Sequence, residues 1–157
     1  MIIIRPGVEV TPEDLYLSMA NLWFETLKLH VQRADMPEVG AGAGEELHCG
    51  HVKIIGAWMG ALVIEAPAGL LRLAASRMLA RPLSQVTQSD LQDTVGELTN
   101  IVAGNIKIDF PGACRLAFPH VSERSDYAST LPGSHLFCEV YLSCEGFPVH
   151  VALFEQV

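Results

Sequence analysis

From Ser89 to Phe110 the chain reads SDLQDTVGELTNIVAGNIKIDF, and its apolar residues return with a helical period. At about 100° per residue, Leu91, Val95, Leu98, Val102 and Ile106 fall in one narrow stripe, as in a helix lying on a core. Asp93, Glu97, Asn100, Gly104 and Lys107 fall on the other side, within roughly 80° of one another, with Gly96 nearby. Two glycines inside a helix cost about 1 kcal/mol each relative to alanine. A solvated face does not need them; a surface that another backbone or a substrate must approach closely does. Thr87 or Ser89 is available as N-cap, with Asp90 or Gln92 at the matching third position, and Pro111 and Gly112 close the helix.

The same patterning orders the rest of the chain. Met1 to Arg5 favours a strand or ordered tail, ended by Pro6 and Gly7. Thr11, Pro12 and Asp14 form a helix start, and Leu15, Met19, Leu22, Trp23, Thr26, Leu27 and His30 continue it to about Val31. A loop rich in Gly and Pro follows. Glu46 to Ile55 and Ala61 to Glu65 read as a hairpin turning at Gly56 or Gly60. Leu70, Leu71, Leu73, Ala74, Met78 and Leu79 predict a short helix closed near Arg81 and Pro82. After the long helix, three runs favour strand: Ala113 to Val121, His135 to Ser143 and Val149 to Glu155, with a polar loop from Ser122 to Gly133 and a turn at Glu145 and Gly146. Strands joined in pairs by short turns predict an α+β fold, a largely antiparallel sheet with three helices packed on it. No repeat or linker divides residues 1–157, so one domain is expected.

Composition narrows the function classes. Half of the 157 residues are apolar, enough for a sizeable single core. A net charge of -8 speaks against nucleic acid and against an anionic membrane. The opening MIIIRPGVEV is too short for a signal peptide's apolar region, and no apolar run approaches the roughly 18 residues of a membrane span, so a cytoplasmic protein is expected. Cys49, Cys114, Cys138 and Cys144 lie in apolar, strand-like surroundings and read as reduced core thiols.

Glu97 and Asn100 are three apart and therefore neighbours on one helical face. A carboxamide can donate to one oxygen while accepting from a water, which suits positioning a nucleophile, and a carboxylate can pair with a cation or take a proton. By spacing alone, such a pair also reads as an ordinary solvated helix face. The larger pattern in DTVGELTNIVAGNIK, Asp93, Glu97, Asn100 and Gly104, resembles the signature helix of the CheC/CheX chemotaxis phosphatases, most nearly CheX. The order of elements is similar over nearly the whole chain, and VKIIGAWMGALVIEAP is similar to the family's first hairpin. CheC-type members carry a second ExxN on the first helix; here that helix reads SMANLWFETLKL, with Asn21 before Glu25, so only one site is carried over.

The resemblance implies a phosphatase that removes the phosphoryl group from the phosphoaspartate of a CheY-type response regulator, in chemotaxis or a related two-component pathway. By position, Asn100 would orient the attacking water and Glu97 would form a salt bridge to the regulator's active-site lysine. Gly104 would leave room for the partner, and Asp93 and Lys107 join it on the partner-binding face. No cofactor of the chain's own is implied; a divalent metal such as Mg2+ belongs to the phosphorylated receiver. The resemblance also implies a homodimer that joins sheets. The alternative is a non-catalytic module of the same fold that docks on a receiver domain or a flagellar switch component.

Other constellations compete poorly. Strand alternation sends His48 and Cys49 to opposite faces, and Cys138, Cys144 and His150 lack the paired spacing of zinc ligands. The GAGAG run at Gly40 to Gly44 precedes no helix start, which a phosphate-binding loop needs. Trp23 and Trp58 read as core or interface aromatics.

Overall fold

The computed structural model describes residues 9–35, 46–110, 112–122 and 133–156. The expected strand at Met1 to Arg5, the GAGAG run and most of the polar loop between Ser122 and Gly133 lie outside the described residues.

Helix α1 spans Pro12–Leu27 and starts with a capping box: Asp14 N–H donates to Thr11 Oγ1 at 3.2 Å, and Thr11 N–H donates to the Asp14 carboxylate at 2.8 Å. Leu15, Met19, Trp23 and Leu27 form its buried stripe. The helix stops short of the expected end at Val31. Lys28 takes a left-handed backbone (φ 58°, ψ 34°), and its N–H closes on the Phe24 carbonyl at 2.9 Å. The chain then forms a strand that the sequence reading lacks, β1 (Val31–Ala34), in which only Val31 is buried. Four residues with one apolar anchor carry no legible alternation.

The hairpin is β2 (Leu47–Gly56) and β3 (Gly60–Pro67). Helix α2 covers Ala68–Leu79 and helix α3 Gln88–Ile106. The single strand expected over Ala113 to Val121 is instead two, β4 (Cys114–Leu116) and β5 (His120–Ser122), both on the outer edge of β2. Ile54 pairs with Leu116 and His51 with His120, so this segment takes four steps where β2 takes three. The extra residue makes the chain bulge at Ala117–Pro119. Strands β6 (Ser134–Cys144) and β7 (Phe147–Gln156) close the fold around Glu145 (φ 52°) and Gly146 (φ 80°), the two positive φ angles of a tight hairpin turn.

All strand pairs are antiparallel, in the order β1-β6-β7-β3-β2-β4, with β5 also on β2. The expected α+β architecture is borne out. Helix α3 lies on β2 and β3, α1 lies on β6 and β1, and α2 packs chiefly on α3. The core is built from the helix-facing positions Val52, Ile54, Leu62, Ile64, Val140, Leu142, Val151 and Leu153 with the inner stripes of the helices. Trp23 and Trp58 are both buried; Trp58 stacks on Phe110 with ring centroids 4.4 Å apart and donates from Nε1 to Glu155 at 2.6 Å. The four cysteines are free thiols. Burial pushes the Cys49 and Cys144 thiols up to about 12, which keeps them protonated and unreactive.

Candidate active site

Helix α3 presents the predicted site, and its position is fixed from three sides. At its start, Thr87 is the N-cap: Asp90 N–H donates to Thr87 Oγ1 at 3.1 Å, and the Asp90 carboxylate accepts from Thr87 N–H at 2.9 Å and from Arg81 at 3.1 Å. Beneath it, Leu91, Val95, Leu98, Val102 and Ile106 are all buried, as the periodicity predicts. Beside it, Asn105 Nδ2 donates to Ser18 of α1 at 2.9 Å.

The seat on the sheet is closer than alanine would allow. A Cβ on Gly50 of β2 would lie 2.4 Å from Thr99 Oγ1 and 2.8 Å from the Val95 carbonyl, so glycine at that position lets α3 settle on the strand. Thr99 is buried and satisfies its hydroxyl by donating to that same carbonyl at 2.6 Å.

The outer face of α3 forms a lane between two borders. On one side, Asp90, Asp93, Thr94 and Glu97 line an open groove of about 260 Å³ whose opposite wall is Met78 and Leu79 of α2. On the other side runs the β4–β5 segment: a Cβ on Gly96 would lie 3.3 Å from Val121 Cγ2 and 3.8 Å from Pro119 Cβ, and one on Gly104 would lie 3.9 Å from Leu116 Cδ1. Gly96 is buried, so the close approach it permits is by the protein's own chain. Gly104 is half-buried at the edge of the lane, with space for a methyl group.

Asp93 and Glu97 are exposed, and Asn100, the next of the three along the lane, is half-buried. Among the described residues, no hydrogen bond or ion pair engages the side chains of Asp93, Glu97 or Asn100. Lys107 lies past the last helical residue, but its backbone (φ -58°, ψ -21°) continues the right-handed path into a short turn, Lys107–Asp109, and it stays half-buried at the end of the same face. The lane therefore offers two carboxylates and a carboxamide to an approaching surface. Sequence reasoning missed its borders. Periodicity reads Met78 and Leu79 as part of helix α2 with no site role, and Leu116, Pro119 and Val121 as part of a plain strand; the one signal in the sequence is Pro119 interrupting that strand.

The family model described as "Chemotaxis phosphatase CheX" matches residues 48–143, more than half of the chain, and takes in α2, α3 and the lane. The chain belongs to the CheX family. No curated protein sequence matches it. Among solved structures, the CheX protein of Vibrio vulnificus is similar over 98% of this chain and 100% of its own, with a TM-score of 0.70 at 19% identity. CheX in the CheX-CheY-BeF3-Mg2+ complex of Borrelia burgdorferi is similar over 95% of this chain and 100% of its own, with a TM-score of 0.65 at 14% identity. The middle domain of FliM from Vibrio alginolyticus has the same fold at greater distance: TM-score 0.59, 10% identity, 92% of this chain and 89% of that one. At these identities the structural likeness is one of fold.

Proposed function

We propose that this CheX-family protein is a phosphatase that hydrolyses the phosphoaspartate of a CheY-type response regulator, with Glu97 and Asn100 as its working pair. The observation that carries the reading is the pair itself: two polar side chains one turn apart, unengaged among the described residues, on the face of α3 that no other described element covers. Family membership and the CheX-CheY complex of the Borrelia relative support it.

In this reading Asn100 holds the attacking water by donating to or accepting from it, and Glu97 pairs with the lysine beside the receiver's phosphoaspartate. Positioning and electrostatics supply most of the catalysis in phosphoryl transfer, so a carboxamide and a carboxylate on a rigid helix suffice for this chain's share. Asp93, Gly104 and Lys107 belong to the surface the receiver covers. The divalent metal is the receiver's, and this chain contributes no cofactor. This reading puts the reaction in the cytoplasm, where receivers are phosphorylated.

The test is the decay of a phosphorylated receiver in the presence of wild type, Asn100→Ala and Glu97→Ala. Wild type is expected to accelerate decay, and each variant to lose on the order of 10²-fold or more, as when one positioned group is removed from a transition state. Full activity in both variants would sink the site assignment. The fold shared with FliM favours a second reading, a non-catalytic docking module. Wild type that binds an activated receiver without speeding its decay would decide for that one.

A further inference from the structure

Among the described residues, ten large apolar side chains are exposed, and five of them surround α3: Leu79, Leu83, Ile108, Phe118 and Val121. They sit on α2, on the turns at either end of α3 and on the β4–β5 segment; Leu79 lines the groove with Glu97, Val121 lies beside Gly96, and Phe118 directly precedes Pro119, which also lies beside Gly96. Phe118 is 89% exposed and Leu79 44%. Isolated apolar residues are ordinary on a protein surface, but apolar residues gathered around unengaged polar ones are the composition of a protein interface.

The backbone explains why these two project. The extra residue between β4 and β5 interrupts the pairing after Ala117, whose N–H still donates to the Lys53 carbonyl at 2.9 Å, and Phe118 stands exposed in that gap while Pro119 and Val121 rest against Gly96. On the opposite border, Ala80 takes a left-handed backbone (φ 51°) and ends α2 immediately after Leu79, leaving Leu79 as a groove wall facing Asp93 and Glu97. The groove is open and shallow-walled, so it suits a folded surface better than an enclosed small molecule.

We infer that Phe118 and Leu79 are the apolar grips that seat the receiver domain on either side of the Glu97–Asn100 pair. The inference rests on the proposed phosphatase reading. The occupant follows from continuity and charge: a partner that delivers a lysine and a phosphoaspartate to the middle of the lane must cover both borders, and two carboxylates there complement that lysine. Apolar borders would also exclude water from the Glu97–lysine pair, which strengthens it. Neither side chain touches the reacting atoms in this arrangement, so both set affinity and leave turnover alone.

The experiment uses CheY-type receivers of the same cell, loaded with beryllofluoride and Mg2+ for binding and phosphorylated for turnover. Wild type is compared with Phe118→Ser, Leu79→Ser and Leu136→Ser, the last a residue on β6 away from the lane and as exposed as Leu79 (45%). The two lane variants are expected to raise Kd and KM about tenfold each, with kcat at saturating receiver and thermal unfolding as in wild type, and Leu136→Ser to change nothing. Lane variants with wild-type KM, beside a wild type that accelerates decay, would overturn the inference and leave the phosphatase standing. A fall in kcat at unchanged KM would overturn it too, by placing the side chains in the chemistry. A wild type that neither binds nor dephosphorylates any of these receivers would overturn both.

Discussion

At the scale of single residues, His150 shows how much an environment adds to a side chain. On β7 it is flanked by both neighbouring strands: Nδ1 lies 3.3 Å from Glu65 on β3, Nε2 lies 2.7 Å from Glu139 on β6, and the ring stacks on Tyr141 at 4.6 Å. Two carboxylates on two ring nitrogens require both nitrogens to carry protons. Burial pushes the imidazole's pKa down, but the hydrogen bonds and charges of Glu65 and Glu139 outweigh it, and the net shift is upward from 6.5. A histidine whose pKa is higher folded than unfolded stabilises the fold fully below the unfolded value and loses that contribution as pH rises through the folded one. Urea unfolding from pH 5.5 to 8.5 should therefore show His150→Gln less stable than wild type at the acid end, with the gap narrowing as pH rises. A gap that widens with pH would contradict the proton's role. Phe118 makes the complementary point, since nothing in its chemistry announces exposure; the bulge beside it decides that.

At the scale of elements, α3 serves two masters, and its glycine neighbours separate them. Gly50 beneath the helix lets it sit on β2, and Gly104 faces the lane, where a methyl group has room. Gly50→Ala should cost about 1–3 kcal/mol of stability, because an overpacked contact with the helix backbone and Thr99 has nowhere to go. Gly104→Ala should raise stability by about 0.5–1 kcal/mol through helix propensity while weakening receiver binding, if the missing side chain is there for the partner's approach. Chemical denaturation of both variants and a receiver titration of the second check this; a Gly50→Ala protein as stable as wild type would show that the seat is slack, and unchanged binding by Gly104→Ala would remove its partner role. The helix itself was readable in advance because five buried positions at period 3.6 and a capping box overlap in one stretch. Strand β1 and the β4–β5 division were not, because three or four residues carry too few side chains for a period, and their existence depends on which long strand lies alongside.

At the scale of the whole molecule, the sheet's outermost described strands are short, β1 with four residues and β4 and β5 with three each, and β1 pairs only with Tyr141–Cys144, so Ser134–Val140 of β6 have no described strand on that side. Short edges offer few unpaired backbone groups. A homodimer that joins sheets, the arrangement proposed from the family resemblance, would have these short strands and the seven residues Ser134–Val140 of β6 to hold it, so sedimentation should show a monomer–dimer equilibrium across the micromolar range. A monomer at every concentration would remove the dimer, and a dimer that persists at nanomolar concentration would move the interface elsewhere. By itself, the sequence determined the α+β class, the three helices, the two long hairpins and the shared face of Glu97 and Asn100, because each follows from a period written in contiguous residues. Tertiary structure alone decided that Gly96 is covered by the chain's own β5, that Gly50 sets the height of α3, and that Leu79 lines the groove beside Glu97. Those facts join residues up to about 50 positions apart, from Gly50 to Thr99, through packing and register, and no local period encodes a contact between elements that meet only after the sheet has formed.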